Sequence, residues 1–246
     1  MWIVCRFCRS QGVREYDLCV KPKILLSWSS GKDSAWALHV LRRDRVGDVA
    51  GLLTSVNEAV GRVSMHGVRE EILRAQADAA GLPLLTIPLP WPCSNAIYEA
   101  RLRVAIDRAV ADGFTHVAFG DLFLEDVRQY REDRLAGSGL TPLFPLWGIP
   151  TPQLAREMIT SGLRARISTL DPRVMPRDLI GAEFDEALLA RLPSSVDPCA
   201  ERGEFHTCAT AGPMFSRPLA VMTGEVVERE GFVYGDLVLV SVKAPK

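Results

Sequence analysis

Ser29-Ser30-Gly31-Lys32-Asp33-Ser34 are residue types suited to holding a phosphate. An apolar run from Lys23 to Trp28 leads into them, and a helical pattern opening Ala35-Trp-Ala-Leu38 leaves them at once. A turn between a strand and a helix start aims several backbone N–H groups at one place, the helix dipole adds partial positive charge, and Lys32 adds a full one. Hydroxyls of Ser29, Ser30 and Ser34 are further donors, while Asp33 is suited to hold Mg2+ through water or to brace the turn. The two most familiar phosphate motifs fail on this turn. G-x-x-x-x-G-K-[ST] needs glycine where Leu26 stands and Ser or Thr where Asp33 stands, and G-x-G-x-x-G finds only Gly31.

A second set of reactive groups lies in Asp197-Pro-Cys-Ala-Glu-Arg-Gly-Glu-Phe-His-Thr207. Glu201, Glu204 and His206 sit there in a glycine-containing loop where no core face demands them, and such groups take or give protons. His66 is either a loop histidine satisfied by a backbone carbonyl or a nucleotide contact. Arg128 either approaches a phosphate or pairs with Glu125 or Glu132 on one helix face. Cys199 beside Pro198 reads as a packed thiol, since no neighbouring histidine or helix start would lower its pKa.

The elements that must position these groups alternate. Strand patterns at Ile24–Trp28, Val49–Thr54, Leu84–Ile87 and His116–Phe119 are separated by helical patterns at Ser34–Arg43, Val68–Ala80 and Asn95–Ala111. Each helix is long enough for a right-handed crossover, which predicts a parallel sheet with helices on both faces. Gly81 with Pro83 stops the second helix, and Ser94 or Asn95 can cap the third. In such a sheet ligands bind outside the carboxyl ends of the strands, where the serine-rich turn, Thr54-Ser-Val-Asn57 and Gly120-Asp121 all fall. From Gly137 to Pro150 glycine and proline become frequent, and a helix capped by Thr151, a short strand near Ala165–Ser168 and a hairpin of Val226–Glu228 with Phe232–Val240 follow. We therefore expect an N-terminal extension over 1–22, a nucleotide-binding domain over 23–137 and a smaller α+β domain over 138–246.

Composition narrows the class. The 246 residues are 48% hydrophobic with a formal net charge of −1, so no nucleic-acid or acidic-membrane partner is expected from charge. No apolar run reaches the ~20 residues of a membrane span and no signal peptide is evident, which predicts a cytoplasmic protein without a membrane partner. Six cysteines in a chain of this length read as reduced thiols. Cys5-x-x-Cys8 with Cys19 is an incomplete zinc set, so no metal held by protein ligands alone is expected, and the residues before Lys21 are expected to be poorly ordered and dispensable. The residues leave the oligomeric state open, a homodimer included.

The turn resembles the pyrophosphate loop, S-G-G-x-D-S, of the ATP pyrophosphatase superfamily, whose members cleave ATP between the α and β phosphates. Ser29, Gly31, Asp33 and Ser34 match, and Ser30 replaces the first glycine. If that position needs positive φ, serine costs about 1 kcal/mol there. Three further segments, Met65-His-Gly-Val-Arg through Ala77, Phe119-Gly-Asp-Leu-Phe through Glu132 with Pro145-Leu-Trp147, and the E-x-G-E-F-H-T loop, occur in the order and spacing of the diphthine–ammonia ligase family. Together with the turn they run over residues 23 to about 215.

That resemblance implies a pyrophosphate-loop α/β domain binding ATP and Mg2+, with the loop of a smaller C-terminal domain facing it. It implies nucleotide contacts at Ser29, Ser30, Gly31, Lys32, Asp33, Ser34, Thr54, His66, Gly120 and Asp121. It implies catalytic roles for Lys32, Asp33, Glu204 and His206, and acceptor contacts at Glu201, Gly203, Glu204, Phe205, His206 and Thr207. The chemistry implied is adenylation of a carboxylate followed by amidation with ammonia. Archaeal and eukaryotic members amidate diphthine on a translation elongation factor, whereas Met65–Arg69 and Phe119–Leu122 are closer to the bacterial branch, so a small-molecule carboxylate is as open as a protein-borne one. A thiolating tRNA-modifying enzyme using Cys5, Cys8 and Cys199, or an adenine-nucleotide-binding protein without turnover, are the alternatives.

Overall fold

The structure, a computed structural model, describes residues 21–240. The expectations for Cys5, Cys8, Cys19 and the stretch around them lie outside those residues.

The first half of the described chain is a mostly parallel sheet flanked by helices. Its parallel strands are β1 (Lys23–Ser27), β2 (Asp48–Asn57), β4 (Leu84–Leu89), β5 (His116–Ala118) and β6 (Thr141–Leu143), laid side by side as β4-β2-β1-β5-β6. A two-residue strand, β3 (Arg62–Val63), runs antiparallel to the far end of β2. Helices α1 (Lys32–Arg43) and α2 (Glu70–Ala80) connect strands wound outward from β1, and α3 (Asn95–Ala111) carries the chain back to β5. The winding therefore reverses between β1 and β5, and the serine-rich turn and Gly120-Asp121 meet at their carboxyl ends.

Local chemistry explains the boundaries. β1 is buried along its middle because it lies between two parallel neighbours. α2 stops at Gly81, which takes a left-handed φ of 68°. Ser94 caps α3, accepting from the Ile97 N–H at 3.3 Å. β2 runs three residues beyond the predicted Thr54 because β4 pairs with it through Asn57. Thr151 is the first residue of α5 (Thr151–Thr160) rather than its cap; its hydroxyl donates instead to Asp197 Oδ2 at 2.5 Å.

The remainder forms an antiparallel sheet, β8-β7-β10-β9, from β7 (Arg164–Leu170), β8 (Phe205–Ala211), β9 (Val221–Arg229) and β10 (Phe232–Leu239). Glu230 and Gly231, at φ 52° and 81°, make the two-residue hairpin turn between β9 and β10. A short helix, α6 (Glu186–Arg191), is capped by Asp185.

The boundary expected after residue 137 moves. β6 pairs with β5 as the edge of the first sheet, reached through α4 (Glu125–Leu135), a helix too charged to show an apolar stripe. One hydrophobic core joins α1 and α2 to α5 and the second sheet, while a smaller cluster under α3 and α4 fills the opposite face. Each fully buried Leu or Ile, such as Leu38, Ile72 and Leu73, contributes about 2 kcal/mol to that core. Asp236 on β10 accepts from Arg62 at 2.9 Å and Arg69 at 2.6 Å, a charge-assisted clamp between the sheets. No described helix is long and apolar enough to cross a membrane.

Candidate functional site

β8 lies directly against the serine-rich turn. The Lys32 N–H donates to Thr207 Oγ1 at 3.0 Å, and the Ala209 N–H donates to the Ser30 carbonyl at 2.9 Å. Ser30 sits at φ 67°, the left-handed conformation that glycine would occupy without strain. Gly31 is held by close approach: a Cβ there would stand 2.8 Å from His66 Cε1 and 3.2 Å from the Thr207 carbonyl oxygen. On the other flank, a Cβ at Gly120 would stand 2.9 Å from the Asp33 carbonyl carbon and 3.0 Å from the Ser34 nitrogen. The turn is thus packed between β8 and the β5 loop with no room for side chains at either glycine.

Within the turn, Ser29 Oγ accepts from the Gly31 N–H at 3.3 Å and lies 3.2 Å from Ser34 Oγ, which donates to the Gly31 carbonyl. Ser30 Oγ and Asp33 Oδ1 are buried without a hydrogen-bond partner. A buried polar atom left unpaired costs about 1–3 kcal/mol, so these two atoms are open to a partner from a ligand or a water molecule.

Lys32 does not stand free beside the turn. Its ammonium donates to Asp33 Oδ2 at 2.9 Å and to the Cys199 carbonyl, with the rings of Phe184 and Phe205 at 5.5 and 5.6 Å. Burial works against that charge, but Asp33, with smaller contributions from Cys199 and Glu201, more than offsets it, so the ammonium stays protonated. Burial in turn pushes the Asp33 carboxyl above the usual range, against the opposing pull of Lys32. Lys32 therefore ties the helix start to the loop before β8 while adding positive charge beneath the turn.

The second reactive set divides by environment. Glu204 is occupied: its oxygens accept from the Asp197 N–H at 3.0 Å and the Arg202 N–H at 3.1 Å, fastening the loop in which Gly203 turns at φ 84°. Phe205 and Thr207 are buried on β8. His206 stacks on His66 with ring centroids 4.5 Å apart, and His66 Nδ1 lies 3.1 Å from the Thr207 carbonyl. Burial, then the Lys32 charge, holds His206 down at about 4; burial, then His206, holds His66 well below its ordinary value. Both rings are neutral at pH 7. Glu201 behaves differently. It accepts from the Leu122 N–H at 2.7 Å, and burial pushes its carboxyl up to about 7, with Asp33 and Asp121 adding to the rise.

Thr54 is spent on the fold, its hydroxyl donating to the Trp28 carbonyl at 2.6 Å. Asp121 meets Arg131 Nε at 3.4 Å. Arg128 pairs with Glu132 at 2.8 Å and lies over the rings of Phe144 and Trp147, each at 4.8 Å. Cys93, Cys199 and Cys208 are free thiols; burial raises Cys199 beyond the usual range and pushes Cys208 up to about 12, so neither supplies a thiolate.

No protein-family model matches this chain, and no curated protein matches it.

One residue with a clear task escaped the motif reading. Gln76 on α2 is fully buried; its amide donates to the carbonyls of Ser30 at 3.0 Å and Ala209 at 2.7 Å, and its oxygen accepts from Trp28 Nε1 at 3.0 Å. The available signal was a glutamine on the apolar face of α2 with Ile72, Leu73, Ala77 and Ala80, where a buried amide demands partners.

Proposed function

We propose that this chain is an ATP-dependent amide ligase of the diphthine–ammonia ligase type, acting on a carboxylate with ammonia. The observation that carries the reading is the docking of the Glu201–Thr207 segment onto the Ser29–Ser34 turn, which puts a titratable carboxylate, Glu201, beside a helix-start anion site at the switch point of a parallel sheet. The residues fit Mg-ATP: Ser30 Oγ and Asp33 Oδ1 are unpaired and buried, and Mg2+ bound with phosphates takes only one or two protein carboxylates. When bound, ATP supplies the activation: the carboxylate oxygen bonds to the α-phosphorus, pyrophosphate leaves, and ammonia then displaces AMP.

The chain's own residues do the rest. The Gly31 and Lys32 N–H groups are engaged by Ser29 and Thr207, so it is the positive end of the α1 dipole, with the Lys32 ammonium fixed beneath it, that faces developing negative charge. Gly120 backs the helix start so that the dipole keeps its aim. Glu201, ionising near neutrality, takes the proton from an ammonium ion; His206, neutral at pH 7, offers a hydrogen-bonding edge rather than a charge. Glu204 holds the loop that carries Glu201.

The test is incubation with ATP, Mg2+, ammonium and a carboxylate panel, reading AMP and pyrophosphate and searching by mass spectrometry for a product about one dalton lighter than its acid. AMP formation that depends on acid and ammonium supports the reading. ADP with inorganic phosphate, or no nucleotide turnover across the panel, refutes it.

A further inference from the structure

We propose that Gln76 is a positioning residue for the Ser29–Ser34 turn, its amide locking the turn in the left-handed form on which Mg-ATP affinity depends, an assignment that rests on the ligase reading above. The other side chains that α2 buries, Ile72, Leu73, Ala77, Ala79 and Ala80, are apolar, so packing alone would be served by a leucine at this position. An amide in such surroundings is costly unless its polar atoms are paired. Here both the nitrogen and the oxygen are engaged, and the partners decide which way they point. Ser30 and Ala209 offer carbonyl oxygens, which only accept, and Trp28 Nε1 only donates, so the nitrogen faces the turn and β8 while the oxygen faces Trp28.

The bond that shapes the turn is the one to Ser30. Its carbonyl accepts twice, from Gln76 Nε2 at 3.0 Å and from the Ala209 N–H at 2.9 Å. In a trans peptide the carbonyl and the following N–H point opposite ways, so drawing the Ser30 carbonyl toward α2 and β8 turns the Gly31 N–H away from them, onto Ser29 Oγ. Gly31 then opens α1, its carbonyl accepting from the Ala35 N–H and from the Ser34 hydroxyl, each at 3.1 Å. One peptide plane therefore sets both the serine hydroxyls and the start of the helix. Serine at φ 67° does not hold that plane unaided, because its Cβ disfavours the left-handed region. The two donors hold it, and Gln76 also fastens β8 to the turn through the Ala209 carbonyl at 2.7 Å.

The experiment is calorimetric titration of the full chain with Mg-ATP, comparing Gln76→Met, which keeps the reach without the amide, and Gln76→Glu, which keeps the acceptor for Trp28 but at most one donor. Each is expected to weaken Mg-ATP binding about tenfold. Leu73→Ala, an apolar truncation on the same helix that also lowers stability, is expected to leave the affinity within about twofold of the parent. Glycine takes the left-handed form without a lock, so in a Ser30→Gly background the loss caused by Gln76→Met is expected to shrink to about threefold or less, any contribution of the Ser30 hydroxyl cancelling from the comparison. Undiminished affinity in both Gln76 variants, an equal loss in Leu73→Ala, or the same loss with Ser30 as with glycine overturns the proposal. A parent that binds no Mg-ATP overturns it together with the ligase reading. AMP formation by a parent whose Gln76→Met loss is equal in both backgrounds keeps the ligase reading alone. The expected losses in a protein that binds Mg-ATP but forms no amide keep the lock alone.

Discussion

Replacing Glu201 by Gln is expected to stabilise the protein in a pH-dependent way and to slow turnover. Burial lifts the Glu201 carboxyl from its ordinary 4.5 to about 7. The folded protein thus holds this proton more tightly than the unfolded chain, and stability declines as pH rises between those values. The contribution is intact below about 4.5 and lost above about 7. The interval corresponds to roughly 3 kcal/mol for a fully sequestered group, and because the carboxyl is partly exposed, screening by water reduces this to roughly 1–2 kcal/mol. Gln keeps an oxygen to accept from Leu122 and never ionises, so Glu201→Gln removes the cost without removing the hydrogen bond. Thermal melts of the two proteins should converge near pH 4.5, diverge through pH 7 and stay about 3–6 °C apart above it. If Glu201 takes the proton from ammonium, unmodified turnover rises with pH through about 7, and the Gln variant loses about 10²–10⁴ in rate. A variant less stable than the parent at pH 8, or a stability difference that does not change with pH, refutes the reasoning.

Ser30→Gly should stabilise the protein by about 1 kcal/mol in denaturant melts, since it relieves a left-handed serine and removes a buried unpaired hydroxyl. Lys32→Ala should cost about 3–5 kcal/mol because it strands the Asp33 carboxylate, and Lys32→Met with Asp33→Leu should recover most of that; equal loss in both would refute the ion-pair account. Gln76→Leu should cost about 2–4 kcal/mol by leaving the Trp28 donor and the Ala209 carbonyl unpaired, read as a lower denaturation midpoint with an unchanged slope. Gly120→Ala should weaken Mg-ATP binding measured by calorimetry at least tenfold, since its Cβ meets backbone at the start of α1, which cannot rotate away.

The parallel sheet was legible because each strand and helix carried its own period and punctuation, from the buried Ile24–Leu26 run to Gly81 after α2. β3 and β6 were not: β3 is two residues made a strand by pairing with β2, and β6, Thr141-Pro-Leu143, is a proline-interrupted edge paired with an equally short β5. That gap shifted the expected boundary, because the glycine- and proline-rich stretch after Gly137 delivers an edge strand to the first sheet before the chain leaves it. At the site, residue types told which groups could react but not which were already engaged. Lys32, Glu204 and Thr54 have the right chemistry, yet each is bonded to a main-chain carbonyl or N–H elsewhere in the fold. No local pattern reports those partners, since Lys32 and Cys199 stand 167 positions apart. Glu201 is singled out by the same long-range contacts: Asp33, Asp121 and Leu122 arrive from the ends of two strands to set its proton affinity. A loop read as one set of reactive groups thereby separates into a brace, Glu204, a neutral ring, His206, and one carboxylate poised to exchange a proton near pH 7, Glu201.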